Sequence, residues 1–336
     1  MLNIHNPDVD FAFRVIRQVA SLVETIRSTM VVSAYTKRDL SPVTVADYAA
    51  QALTGMLLEC ERPGDAFIAE ESMDGLSGEE GQLLLGTIAD YLRCEEWDVT
   101  PEAIRNWIGR GKTEQAHRFW TLDPIDGTKG FLRGQQYAVA FALVENGEVR
   151  AAALGCPNLQ TGLHPDLEGD GALILAARGQ GTWAVNMHAE AADDDLWRAL
   201  QVSSQCDVTN ARILRSYESG HTHGEGIEQF AATLGIQAEP VRMDSQAKQA
   251  LLAAGEGEFL LRLISPLAPE YKEKIWDQAA GSLIIEEAGG KITDLAGKPL
   301  DFTTGRRLMN NTGVFASNNC LHGQALQALS AVGAVN

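Results

Sequence analysis

Apolar residues recur at helical spacing along the first thirty positions. Val15, Val19, Val23 and Ile26, with Ile16 and Leu22 beside them, mark one face of residues 8–30, and Asp8 or Asp10 can cap its start. This predicts an opening amphipathic helix. A second helix is expected from near Thr44 through "ADYAAQALTGMLLEC", because Pro42 stops the preceding segment while Ala, Leu and Met favour helix after it. "AFIA", residues 66–69, reads as a short strand. Residues 74–117 are more polar, with helical patches in "LLLGTIADYL" and "PEAIRNWIG", and read as an excursion or lid.

From Phe119 the period changes from helical to alternating. "FWTLD" is a strand that Pro124 ends, and "YAVAFALVENGEVRAAALG" is strand material folded back at Asn146-Gly147. Residues 172–185 look like another hairpin, and the polar, turn-rich stretch after them places a domain boundary near residue 195. Beyond it, strand-like segments such as "ARILRSY", "EFLLRL" and "GVFAS" alternate with helix-like ones such as "GIEQFAATLG" and "WDQAAGSLIIEEAGG". That alternation predicts an α/β fold.

Length and composition narrow the class. The 336 residues suffice for about two domains, and 45% hydrophobic with 21% charged residues is ordinary globular chemistry. A net charge of −18 disfavours a nucleic-acid polymer or an anionic membrane as partner, while small anions remain open to local cations. Cys60, Cys94, Cys156, Cys206 and Cys320 are odd in number, scattered and never CxxC, which counts against zinc ribbons and disulfide frameworks and favours a reducing cytoplasm. With no leader-like start and no apolar run of membrane length, a soluble, unexported protein is expected.

The chemistry concentrates at a few corners. In "FWTLDPIDGTKGFLR" an apolar strand runs into Asp123 and Asp126, followed by Gly127 and Thr128, a turn that can hold metal and phosphate together or serve simply as a turn. "IAEES" adds Glu70 and Glu71 after a strand, and Asp277 stands at a helix start in "KIWDQAAG". Singly these acids are ordinary turn and cap residues; together they make a site that a cation neutralises. Oxygen ligands without His or Cys select Mg²⁺ or Mn²⁺ over zinc. Thr44 and Asp47 fit a capping box, and the functional alternative makes Asp47 the acceptor of a proton from the attacking water through the Thr128 hydroxyl. In "DSQAKQALLAAG", Ser245 is a natural N-cap, but Lys248 in the first turn opposes the helix dipole. Lys248 either reaches solvent or, with Ser245 and Arg262 from an otherwise apolar strand, holds a phosphate. "GRGKT" lacks the first glycine of a phosphate-binding loop, and His221 and His223 lack a zinc pattern and read as loop polarity or substrate contacts.

The paired blocks "DPIDGT" and "WDQAAGSLIIEEAGG" resemble the magnesium-dependent, lithium-sensitive phosphatases of the inositol monophosphatase superfamily. "SPVTVADYAAQ", "GCPNL", "DSQAK" and "YKEKIWDQAAG" are similar to its 3'(2'),5'-bisphosphate nucleotidase branch, and the similarity runs over nearly the whole chain. The resemblance implies a layered αβαβα sandwich and two or three Mg²⁺ ions, replaceable by Mn²⁺, on Glu70, Asp123, the Ile125 carbonyl, Asp126 and Asp277. It implies Asp47 and Thr128 as the water-activating pair and gives Gly127, Thr128, His221, Ser245, Lys248 and Arg262 to the substrate. The implied reaction is removal of the 3'-phosphate of adenosine 3',5'-bisphosphate, or of its 5'-phosphosulfate relative, without a covalent intermediate. An inositol phosphatase and a silent nucleotide sensor are the alternatives. Ala69 replaces the glycine usual before the acidic pair, and Gln278 stands where some relatives have His.

Overall fold

The alternation of the middle of the chain becomes a sheet with two unlike faces. In a computed structural model that describes residues 6–33, 41–93, 99–160, 162–165, 169–189, 196–217 and 224–334, the elements in order are α1 (Pro7–Ser33), α2 (Pro42–Glu61), β1 (Ala66–Ala69), α3 (Gly78–Arg93), α4 (Pro101–Arg110), β2 (Arg118–Asp126), α5 (Thr128–Arg133), β3 (Ala138–Glu145), β4 (Glu148–Cys156), β5 (Ala172–Ala177), β6 (Gly181–Asn186) and β7 (Arg198–Leu200). There follow β8 (Ile213–Arg215), α6 (Gly224–Leu234), β9 (Val241–Arg242), α7 (Ala247–Ala253), β10 (Phe259–Arg262), α8 (Ala279–Glu287), β11 (Lys291–Thr293), β12 (Val314–Ser317) and α9 (His322–Ala331). Strands β1 to β7 form one sheet in sequence order, antiparallel except for the parallel pair β1/β2. The second sheet runs β11-β12-β10-β8-β9 and is mixed.

Period two decides which layer each side chain joins. Trp120, Leu122, Val139, Phe141 and Leu143 share a core with α1 and α2, while their neighbours Phe119, Ala138, Ala140 and Ala142 pack with α7 and α8. In β10, Phe259 and Leu261 face α6 and α9, and Leu260 faces the α7/α8 layer. The result is five layers, αβαβα, as the family resemblance implies. Trp120 fastens the first two, stacked on Phe141 at 4.7 Å and edge-on to Phe11 of α1 at 5.1 Å; its truncation to Ala is worth about 3–5 kcal/mol. Helices α3 and α4 bury Leu84, Leu85, Ile88, Ile104 and Ile108 in the same core as α2, so the described part of residues 74–117 is packed structure. Among the described residues no helix is long and apolar enough to cross a membrane.

Several local expectations change. Helix α2 begins at Pro42 with Ser41 as its N-cap, because proline's missing N–H costs nothing in a first turn; Thr44 and Asp47 therefore lie inside the helix and form no capping box. Strand β2 does not stop at Pro124 but continues to Asp126 across a register shift, the bulge absorbing the residue that cannot donate to the ladder. The Asn146-Gly147 hairpin forms as read, both residues having positive φ, 53° and 80°. Cys206 and Cys320 are joined in a disulfide across 114 positions, against the expectation from cysteine spacing; packing of distant segments, not a motif, brings them together. The boundary placed near residue 195 lies outside the described residues.

Candidate active site

The β2 bulge and the turn after it aim two carboxylates at one point. Asp123 is the last residue paired before the shift, Asp126 the first after it, and Gly127 then turns with φ 88° into α5. A side chain at Gly127 would be strained by that φ, and its Cβ would stand 2.8 Å from the Cβ of Ser245. Close contact between the DPIDGT turn and the start of α7 thus depends on this glycine. Ser245, itself at φ 63°, precedes the N-cap of α7, which is Gln246; its hydroxyl still accepts from the Ala247 N–H at 3.2 Å.

A cleft of about 550 Å³ brings together Glu70, Asp123, Ile125, Asp126, Gly127, Thr128, Ser245, Lys248, Arg262 and Asp277. Asp47 does not line it but lies close enough for its charge to act on Asp123. His221 and His223 fall outside the described residues. The Thr128 hydroxyl donates to the Ile125 carbonyl at 3.4 Å rather than to Asp47.

The acids disturb one another. Burial, then the charges of Glu70, Asp126, Asp277 and Asp47, hold Asp123 well above the usual carboxylate range. Burial pushes Asp277 to about 8 against the pull of Arg262, and burial with Glu71 and Glu70 raises Asp47. Burial also raises Asp126, opposed by Lys248, Arg262 and the Gln246 backbone N–H. Among the described residues, buried Asp123 Oδ1 has no hydrogen-bond partner. These are the conditions a hard cation relieves, and the donor set is all oxygen, so the residues fit a divalent metal. The set is not drawn into a closed cage: no group of three His, Cys, Asp or Glu among the described residues has that arrangement. Two cations already stand against these acids, with Lys274 Nζ 3.1 Å from Glu70 Oε1 and Arg262 Nη2 3.6 Å from Asp277 Oδ2.

The facing wall is cationic. Lys248 does not snorkel to solvent; it is buried and its Nζ donates to Ser216 Oγ at 2.6 Å, with burial pushing the ammonium down to about 8. Arg262 Nη2 lies 2.9 Å from Glu273 Oε2, the same oxygen that accepts from Gln278 Nε2 at 3.1 Å. Burial alone would lower the Arg262 pKa, but Glu273, Asp277 and Asp126 outweigh it and leave the group above its ordinary value.

Behind both walls stands an amide network that sequence reasoning missed. Gln246 Nε2 donates to the Trp276 carbonyl at 3.2 Å, and Gln249 Nε2 reaches the Asp277 carbonyl and Gln278 Oε1 at 3.5 and 3.4 Å. On the acid side, Gln51, one helical turn after Asp47, exchanges two hydrogen bonds of 2.9 Å with the backbone of Glu71 and donates to the Ile108 carbonyl at 3.0 Å. The i, i+4 spacing of Asp47 and Gln51 was a readable signal, as were Glu273 and Lys274 in "YKEKIWD". Ser216 carried none.

Fold comparisons place the molecule among the inositol monophosphatase-type sandwiches. An inositol monophosphatase from Anabaena superposes with a TM-score of 0.62 at 18% identity, covering 96% of this chain and 95% of that one. CysQ from Bacteroides thetaiotaomicron superposes at 0.63 and 19% identity, covering 93% and 97%. The model of the inositol monophosphatase family matches residues 5–334, and the chain belongs to that family. It is 38% identical over 340 residues to a 3'(2'),5'-bisphosphate nucleotidase of Schizosaccharomyces pombe, covering 96% of this chain and 94% of that protein. It is 36% identical to 3',5'-bisphosphate nucleotidase 2 of Arabidopsis thaliana, covering 95% and 94%.

Proposed function

We propose that this protein hydrolyses the 3'-phosphate of adenosine 3',5'-bisphosphate to give AMP and phosphate, with 3'-phosphoadenosine 5'-phosphosulfate as a second substrate. The observation that carries the reading is one cleft with mutually repelling carboxylates, fully buried Asp123 among them, on one wall and buried Lys248 with half-buried Arg262 on the other. The substrate class comes from the bisphosphate nucleotidases that the chain matches along nearly its whole length.

In this reading Glu70, Asp123, Asp126, Asp277 and the Ile125 carbonyl hold two or three Mg²⁺ ions, for which Mn²⁺ can substitute. Bound there, such ions acidify water and neutralise the phosphate and the leaving oxygen. Asp47 takes the proton of the attacking water through the Thr128 hydroxyl, which must rotate from the Ile125 carbonyl to do so. The backbone amides of Gly127 and Thr128 lie beside the scissile phosphate. Ser245, Lys248, Arg262 and His221 hold the nucleotide. The same reading divides the chain near residue 195 into an N-terminal part with Asp47, Glu70, Asp123 and Asp126 and a C-terminal part with Asp277 and the nucleotide residues.

The test is phosphate release from adenosine 3',5'-bisphosphate with Mg²⁺, with EDTA, and with inositol 1,4-bisphosphate in its place. Magnesium-dependent release that favours the nucleotide is expected. Release favouring the inositol overturns the substrate assignment, and release from neither overturns the enzymatic one.

A further inference from the structure

Glu70 and Lys274 line two cavities, not one. Beyond them, away from Lys248, lies a second cavity of about 380 Å³, and their 3.1 Å ion pair stands in the wall between the two. Lys274, Arg306 and Arg307 all line this second space. Trp276 gathers two of them, with the Lys274 ammonium 5.0 Å and the Arg306 guanidinium 4.8 Å from its ring centroid.

The arginines are fixed by neutral acceptors. Arg306 donates to the carbonyls of Gly111 at 3.0 Å and Ala69 at 2.6 Å, and Arg307 to the carbonyl of Lys272 at 2.9 Å. Each is thereby oriented while keeping its full charge. Glu114 also lines the cavity, and burial with the charge of Arg307 still leaves the Arg306 pKa below its ordinary value. When Glu70 turns to a cation, Lys274 loses its 3.1 Å ion pair, keeps only the charge interaction with Glu71, and faces the same space as a third positive group. Fixed guanidinium forks with an ammonium beside them suit a small tetrahedral oxyanion.

We propose that this cavity is a second anion site, which takes free inorganic phosphate on the side of Glu70 opposite the nucleotide cleft. It rests on the nucleotidase reading only for the source of that phosphate. The site would receive the released product and make inhibition by phosphate partly independent of the nucleotide.

Calorimetric titration of inorganic phosphate into the Mg²⁺-loaded protein tests it. Two sites per chain are expected, and R307E should weaken one of them by about tenfold or more. M309E is the second variant: Met309 is exposed at the cavity, and the change adds a negative charge without removing a side-chain hydrogen bond. A single site in the unmodified protein, or a second site untouched by both variants, overturns the proposal. The titration uses no nucleotide, so failure to hydrolyse adenosine 3',5'-bisphosphate counts against the nucleotidase reading alone.

Discussion

The two walls of the cleft are finished to different degrees. The acids on the seven-stranded side, Asp123 and Asp126 in the wall and Asp47 behind it, are raised above their usual range by burial above all, in Asp123 by the charges of the others as well, and Asp123 Oδ1 lacks a partner among the described residues. The cations on the five-stranded side are already engaged, Lys248 with Ser216 and Arg262 with Glu273, and Gln278 and Gln249 brace the second pair. The cations have their protein partners in place, whereas Asp123 keeps an oxygen without one among the described residues. In the function proposed above, one wall is preorganised and the other is completed on binding.

The largest break in that contrast is Asp47→Asn, which keeps the shape behind the acid wall but removes the proposed proton acceptor. Turnover should fall by about 10²–10⁴-fold, while nucleotide affinity measured by calorimetry stays close to that of the unmodified protein. Equal activity in the variant removes Asp47 from the chemistry. On the other wall, Lys248→Ala should raise KM by about tenfold or more and leave kcat within a few-fold, because a preorganised contact acts on capture. A fall confined to kcat would contradict the phosphate-holding assignment.

A smaller change sharpens the same point. Gln278→Leu removes a donor from Glu273, the partner of Arg262, without touching either wall's charges directly. KM should rise several-fold with kcat little altered, and Gln278→His, which restores a donor, should bring KM back. An unchanged KM in Gln278→Leu would mean that Arg262 needs no bracing.

Much of this was legible in the chain because it is periodic or local. Alternation in β3 to β5 decided which residues face α1 and which face α8, and the DPIDGT turn announced two convergent carboxylates. What stayed hidden depends on segments far apart in sequence. Gln249 meets Gln278, Lys248 meets Ser216, and Cys206 meets Cys320, and none of these pairs leaves a spacing that a pattern can find. The capping box misled for a different reason: a proline that reads as a stop signal was the first residue of the helix it seemed to delay.

Behind the five-stranded sheet, in the layer of α6 and α9, His322 touches neither wall and provides a control for the rest. It is buried at the start of α9, stacked on Phe315 at 4.8 Å, with Ser317 Oγ 2.8 Å from Nδ1 and Thr293 Oγ1 3.2 Å from Nε2. Burial, helped by the charge of Lys291, pushes its pKa down to about 4. Between that value and the ordinary value of about 6.5, the unfolded chain binds a proton that the folded chain does not. The contribution of neutral His322 is therefore fully present above about pH 6.5 and is lost as the pH falls toward 4. Urea midpoints measured across that range for the unmodified protein and for His322→Gln should converge as the pH drops, and curves that stay parallel would show that the imidazole does not resist protonation in the fold.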